Sequence, residues 1–231
     1  MAMAQQPSAR RAGRPSRGEE VERRQQLLSA ALDIFLRQGF SGTSLDDIAH
    51  AAHVAKRTIY EQFGGKEGLF GAAIERSATR LISRFPAIDQ TSGEPGADLN
   101  SIGCAVLDLV LQPRSLAIYR LVAGEAERQP RLAQMFYEHG PGRAIASVAE
   151  LLASYMRQRL IARRDPVALA RRFIGLVVLE IHQRAMLGML PPITRKEIEK
   201  HVAAGTEAFL STLQTTTRHV KSTSRNRRGD G

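Results

Sequence analysis

Lys56, Arg57, Thr58 and Tyr60 stand close together in a short polar run, and their side chains are of the types that bind DNA. A guanidinium or ammonium can pair with guanine O6 and N7, which assigns base reading to Lys56 and Arg57. Thr58 and Tyr60 suit phosphate oxygens or a thymine methyl, although a packed surface aromatic is the plainer role for Tyr60. Lys66, at the start of a following helix, can add a phosphate contact beside that helix's positive end, and Glu61 faces solvent or a neighbouring charge. Catalytic chemistry finds no comparable grouping. The histidines, His50, His53, His139, His182, His201 and His219, form no His-Glu-x-x-His zinc motif. Gly64-Gly65-Lys66 lacks the spacing of a phosphate loop and has Glu67 where the hydroxyl residue belongs, and no Gly-x-Ser-x-Gly elbow is present. No catalytic residue, metal ligand or cofactor is expected.

The four residues need a scaffold that presents them, and residues 43–63 read as a helix-turn-helix. Leu45, Ile48, Ala49 and Ala52 recur at helical spacing as one apolar stripe. Val54 sits in the turn, and Ile59 and Phe63 form a second stripe that can pack on the first, with small Ala49 at the crossing. Thr43, followed three residues later by Asp46, reads as a variant capping box that starts a helix near Ser44. Two positions fit less well: His53 where a left-handed cap favours glycine, and Ala55, which offers no capping oxygen to the second helix.

Residues 39–70 resemble the DNA-binding domain of the TetR family of bacterial transcriptional regulators. The features that carry the resemblance are Gly39-Phe40, the cap residue Thr43, Thr58-Ile59-Tyr60 with Phe63, and Lys66-Glu67 with Leu69. The departures are His53, where the family usually has Gly, and Ala55, where it often has Ser or Thr. The resemblance implies DNA contacts from Thr43, Lys56, Arg57, Thr58, Tyr60 and Lys66. The rest of the chain resembles the family only in being helical and of suitable length.

Charge agrees with a nucleic-acid partner. The formal net charge is +10, with +4 in residues 1–17 and +4 in residues 218–231, leaving +2 for the remainder. Such blocks read as disordered basic arms drawn to phosphate, or as solvated tails. Gly13-Arg14-Pro15 resembles the core of an AT-hook, which would lay Arg14 along a narrow minor groove; simple electrostatic tethering is the alternative. The single cysteine, Cys104, excludes an internal disulfide or a cysteine-based zinc site and reads as a small core residue. No apolar run reaches the roughly 18 residues of a membrane span, and no signal peptide follows the arginine-rich start. A soluble cytoplasmic protein without a membrane partner is expected.

The fold class is all-α, with a basic arm (1–18), a helix-turn-helix domain (19–65), a helical regulatory and dimerisation domain (66–214) and a basic tail (215–231). Helical patterns cover residues 19–38, 66–84, 98–111, 114–128, 130–138, 142–161, 166–188 and 194–214, with a loop over 89–98. Residues 173–179 are apolar on every face, and Ile198, Val202, Gly205, Phe209 and Leu213 form a stripe on the last helix. In TetR relatives the last two long helices pair with their copies in a four-helix bundle, which assigns Leu176, Val178, Ile198, Val202, Phe209 and Leu213 to a homodimer interface. Closing the subunit core is the alternative role. A dimer would address a palindromic operator with half-sites roughly 34–36 Å apart, or a multiple of that.

The family usually holds a small molecule among its central helices. Phe136, Tyr137, Phe173, Val177, His182 and Met186 have the aromatic, thioether and isolated polar side chains that suit such an effector, while Arg120, Glu125 and Glu180 could equally be structural ion pairs. The segments Pro130-Arg131-Leu132-Ala133 and Phe136-Tyr137-Glu138 resemble one C-terminal subtype of the family. The function implied is a ligand-responsive DNA-binding regulator, with repression inferred from the family. A nonspecific nucleoid-packaging protein is the alternative, which would leave the large apolar C-terminal domain without a purpose, and an all-α enzyme is the remotest.

Overall fold

Prolines set the punctuation of this chain. The computed structural model describes residues 17–82 and 92–223, with side chains for all of these except 78, 80–82 and 214–223. Arg14 and most of the basic arm, together with residues 224–231 of the tail, lie outside the described residues. Ten α-helices and no strand are found among the described residues: α1 (Arg17–Gln38), α2 (Leu45–Ala51), α3 (Lys56–Phe63), α4 (Lys66–Ile82), α5 (Pro95–Val110), α6 (Pro113–Glu125), α7 (Pro130–His139), α8 (Pro141–Arg157), α9 (Pro166–Met186) and α10 (Arg195–Thr223). Five of them open on proline, which fits the first helical turn because its missing N–H is one that no helix can pair there. α5 therefore begins at Pro95, inside the stretch expected to be loop.

The end of α8 also differs from expectation. The helix stops at Arg157, where helical pattern runs on to residue 161. Arg159 takes a left-handed φ of 63°, and the Leu160 N–H donates to the Tyr155 carbonyl at 2.9 Å, closing a Schellman turn without a glycine to announce it. α10 in turn runs to Thr223, past the end expected at residue 214.

The chain divides into two units, one ending at Ala73 and the other starting at Ile74. In the first, α1 to α3 and the start of α4 enclose Leu27, Ala31, Phe35, Phe40, Ile48, Ile59, Leu69 and Phe70. Phe35, Phe40 and Phe70 form a three-ring cluster with centroids 5.4, 5.5 and 5.7 Å apart.

In the second unit α5, α8, α9 and α10 share one core. Phe173 meets Phe209 edge to face at 5.4 Å, and Gly103 lets α5 approach α10 so closely that a Cβ there would sit 2.6 Å from a Val202 methyl. Buried Asp98 accepts the Tyr155 hydroxyl and the Ser92 N–H, tying the entry of α5 to α8. Burial, then the bond to Asp98, push the Tyr155 phenol well above its ordinary pKa. The core corrects two readings of the sequence. Ile198, Val202, Phe209 and Leu213 are all buried in this subunit, so they close its own core and offer no surface to a second copy. Phe173 and Val177 are fully buried in the same cluster.

Candidate nucleic-acid interface and cavity

α2 and α3 present the cationic run. Ser44 caps α2: its hydroxyl accepts from the Asp47 N–H at 3.1 Å, and the Asp47 carboxylate accepts from the Ser44 N–H at 3.4 Å. The cap is thus one residue beyond Thr43, which is 3% exposed and donates its hydroxyl to the Gly39 carbonyl at 2.7 Å. Thr43 is buried in the loop between α1 and α2, so its side chain is not on the exposed face of the helix-turn-helix.

The turn between the helices follows a Schellman pattern. His53 adopts φ 52°, and the Val54 N–H donates to the Ala49 carbonyl at 3.0 Å. Ala55 supplies no side-chain cap to α3, and Gly64 ends that helix with φ 73°.

Ile59 is the one buried residue of α3, which leaves Lys56, Arg57, Tyr60, Glu61 and Gln62 exposed and Thr58 half-buried. The Lys56 ammonium lies 2.8 Å from the Asp46 carboxylate on α2, and this bond raises its pKa. Arg57, with a side chain 86% exposed, pairs through Nε with Glu61 at 2.6 Å. Exposed pairs of this kind are weak because water and salt screen them, so phosphates or base edges can displace the carboxylates. Asp46 and Glu61 are thus part of this surface, the first unsuspected from sequence because its partner lies on the next helix.

Lys66 has a different place. Its ammonium donates to the Phe40 and Thr43 carbonyls, both at 2.9 Å, and sits 4.7 Å from the Phe40 ring centroid. The side chain staples the α1–α2 loop to α4 with two of its three N–H groups.

The second unit holds a half-open cavity of about 570 Å³ between α5, α6, α7, α9, the middle of α4 and the start of α8. Of the residues expected to line it, Phe136, Tyr137 and His182 do. Phe173 and Val177 face the core instead, and Met186 lies beyond the lining, where its carbonyl accepts from Arg120 at 3.1 Å. From α9 the wall comprises Ile174, Gly175, Val178, Leu179 and His182, which moves Val178 from the expected interface into the cavity. Tyr119, missed from sequence, joins the aromatic side with its centroid 5.6 Å from Phe136 and 4.8 Å from His182. Burial lowers the His182 pKa, so the imidazole is neutral at neutral pH. A second depression of about 580 Å³, along residues 156–163, is lined by that single stretch of chain and has no opposing wall.

Among the described residues no group of three or more His, Cys, Asp or Glu is placed to hold a metal. No single described helix is long and apolar enough to cross a membrane; α5 and α6 reach that length only as a pair bent by 68°.

Both units match known proteins. Residues 27–73 fit the family model described as bacterial regulatory proteins, tetR family, and residues 97–214 fit that described as AefR-like transcriptional repressor, C-terminal domain. The HTH-type transcriptional activator FasR of Mycolicibacterium smegmatis is 38% identical over 77 residues, which are 32% of this chain and 35% of FasR, so the match spans about a third of that relative. Among solved structures, the flavonoid-responsive regulator FrrA is 32% identical with a TM-score of 0.70, over 83% of this chain and 97% of FrrA. A TetR-family regulator from Mesorhizobium loti MAFF303099 is 26% identical with a TM-score of 0.71, over 86% of this chain and 98% of that one. With both halves matched in sequence and the helical framework matched over most of its length, the chain belongs to the TetR family of DNA-binding bacterial transcriptional regulators.

Proposed function

We propose that the protein is a homodimeric repressor that reads a palindromic operator through Lys56, Arg57, Thr58 and Tyr60 and is released when a small molecule enters the cavity of the second unit. The observation that carries this reading is the coexistence in one chain of an exposed cationic α3 and an apolar cavity of about 570 Å³. The description of the matched C-terminal model supports repression, and the name of FrrA supports a small-molecule effector. The protein would work on the chromosome, in the cytoplasm.

The dimer surface moves to the outward side of α9 and α10. Leu176 is 44% exposed and lies outside the cavity wall, and Ala203, Ala204 and Ala208 are exposed on the neighbouring helix. Gly205 brings α10 against the Leu176 carbonyl, so the seam between the helices is smooth enough for a second pair to pack on it. A two-fold axis at Leu176, with the two copies of α9 antiparallel, sets exposed Arg172 of one copy against Glu180 of the other.

Footprinting on genomic fragments selected by the immobilised protein tests the reading. A protected palindrome with half-sites roughly 34–36 Å apart, or a multiple, is expected. Uniform protection without sequence preference would overturn it.

A further inference from the structure

We propose that the cavity takes an uncharged, largely aromatic molecule bearing a hydroxyl or carbonyl group that hydrogen-bonds to His182, and that it rejects carboxylates and ammonium ions. The inference rests on the reading of this cavity as the effector site and narrows the effector to a chemical class.

The wall chemistry decides the class. None of the described residues that line the cavity carries a carboxylate, an ammonium or a guanidinium. Two arginines that neighbour the wall in sequence are engaged elsewhere. Arg120, adjacent in sequence to Tyr119, donates to the Ala185 and Met186 carbonyls at 2.9 to 3.2 Å and so caps the end of α9. Arg143, close to Pro141 and Ala144 of the wall, pairs with Glu75 at 2.9 Å, next to Ile74. An ionised group held within the cavity would give up water and meet no counter-charge among the described lining residues, which disfavours it against an uncharged one.

The aromatic groups give the cavity a preference for flat rings. Tyr119 presents its edge or face to both Phe136 and His182, at interplanar angles of 90° and 68°. Among the described residues the ring nitrogens of His182 meet no hydrogen-bond partner. A neutral imidazole carries one donor and one acceptor, so it can serve a phenol or a ketone equally.

The test uses the full-length protein and naphthalene probes that differ only in the substituent. At neutral pH 2-naphthol is uncharged, 2-naphthoate is an anion and 2-naphthylmethylammonium is a cation. Titration calorimetry should find 2-naphthol bound at least about tenfold more tightly than either ion. Gly175→Leu, at a position where a Cβ meets nothing within 4 Å, puts bulk into the cavity wall and should remove binding without loss of helix by circular dichroism. His182→Phe keeps a ring beside Tyr119 and should weaken 2-naphthol about fivefold while leaving 2-methylnaphthalene unchanged. An equal loss for both probes would mean that His182 acts through packing, and would overturn its assigned role. Binding of either ion as tightly as 2-naphthol, abolished by Gly175→Leu, would overturn the class and leave the effector cavity standing. Failure of every probe to bind, or 2-naphthol binding that survives Gly175→Leu, would overturn the class and the cavity reading together.

Discussion

The Lys66 ammonium rests 2.9 Å from the carbonyl oxygen of Thr43, a residue 23 positions earlier and on the other side of the helix-turn-helix. Two residues expected to touch DNA thus hold each other. A charged donor to a partly buried carbonyl contributes roughly 1.5–3 kcal/mol, and Lys66 serves two such carbonyls. Lys66→Met should therefore lower stability by about 2 kcal/mol in urea unfolding. If it leaves stability unchanged and lowers only DNA affinity, the staple is the wrong role.

The cap positions give a second expectation. His53 and Arg159 both hold left-handed backbone with a Cβ, which costs about 1–2 kcal/mol each, and Ala55 forgoes a cap on α3. Glycine at either position recovers part of that cost against the greater entropy of its unfolded chain, for a net gain of up to about 1 kcal/mol. Ala55→Ser should add about 1 kcal/mol. Thermal unfolding of the three single variants checks the sign, and a fall in Tm for all of them would contradict the cap geometry.

Leu176 and Phe209 separate surface from core. Leu176→Glu should yield monomers in sedimentation with the far-ultraviolet spectrum of the parent, because the side chain is exposed on the subunit. Phe209→Ala removes a fully buried ring that packs on Phe173 and should cost about 3–5 kcal/mol. Dimers that persist at micromolar concentration with Leu176→Glu would place the interface elsewhere.

His182 should make the protein acid-sensitive. Its pKa is lowered by burial in the folded chain, so between that value and the ordinary one near 6.5 the unfolded chain holds more protons. Stability thus rises with pH across this window and falls as acid is added, by at most about 1.4 kcal/mol per pH unit for one group. His182→Gln should flatten that part of the profile relative to the parent. Parallel profiles would show that His182 does not titrate differently on folding.

Much of this was legible in the sequence, and the misses share a cause. Proline positions marked the starts of five consecutive helices, α5 to α9, because the ring both ends one helix and suits the first turn of the next. Thr43 and Ser44 each precede an aspartate by three residues, so the cap was degenerate by one position until the Gly39 carbonyl claimed Thr43. On α9 the run from Phe173 to Leu179 is apolar all round and gives no phase. Composition alone could not tell the buried residues Phe173, Val177 and Ile181 from the cavity residues Ile174, Val178 and His182. The α10 stripe is legible in the sequence as a stripe, but periodicity does not say whether a face meets its own subunit or another.

The most direct measurement of the central claim is fluorescence anisotropy with a DNA fragment recovered from the genome by the protein and a shuffled fragment of equal composition, at physiological salt. Phosphate attraction acts on both alike, so an operator reader should prefer the recovered fragment by roughly 10³-fold or more. Arg57→Ala should then weaken binding to the recovered fragment by about 1–3 kcal/mol with little change for the shuffled one. Equal, steeply salt-dependent binding to both fragments, unaltered by Arg57→Ala, would contradict sequence reading by α3.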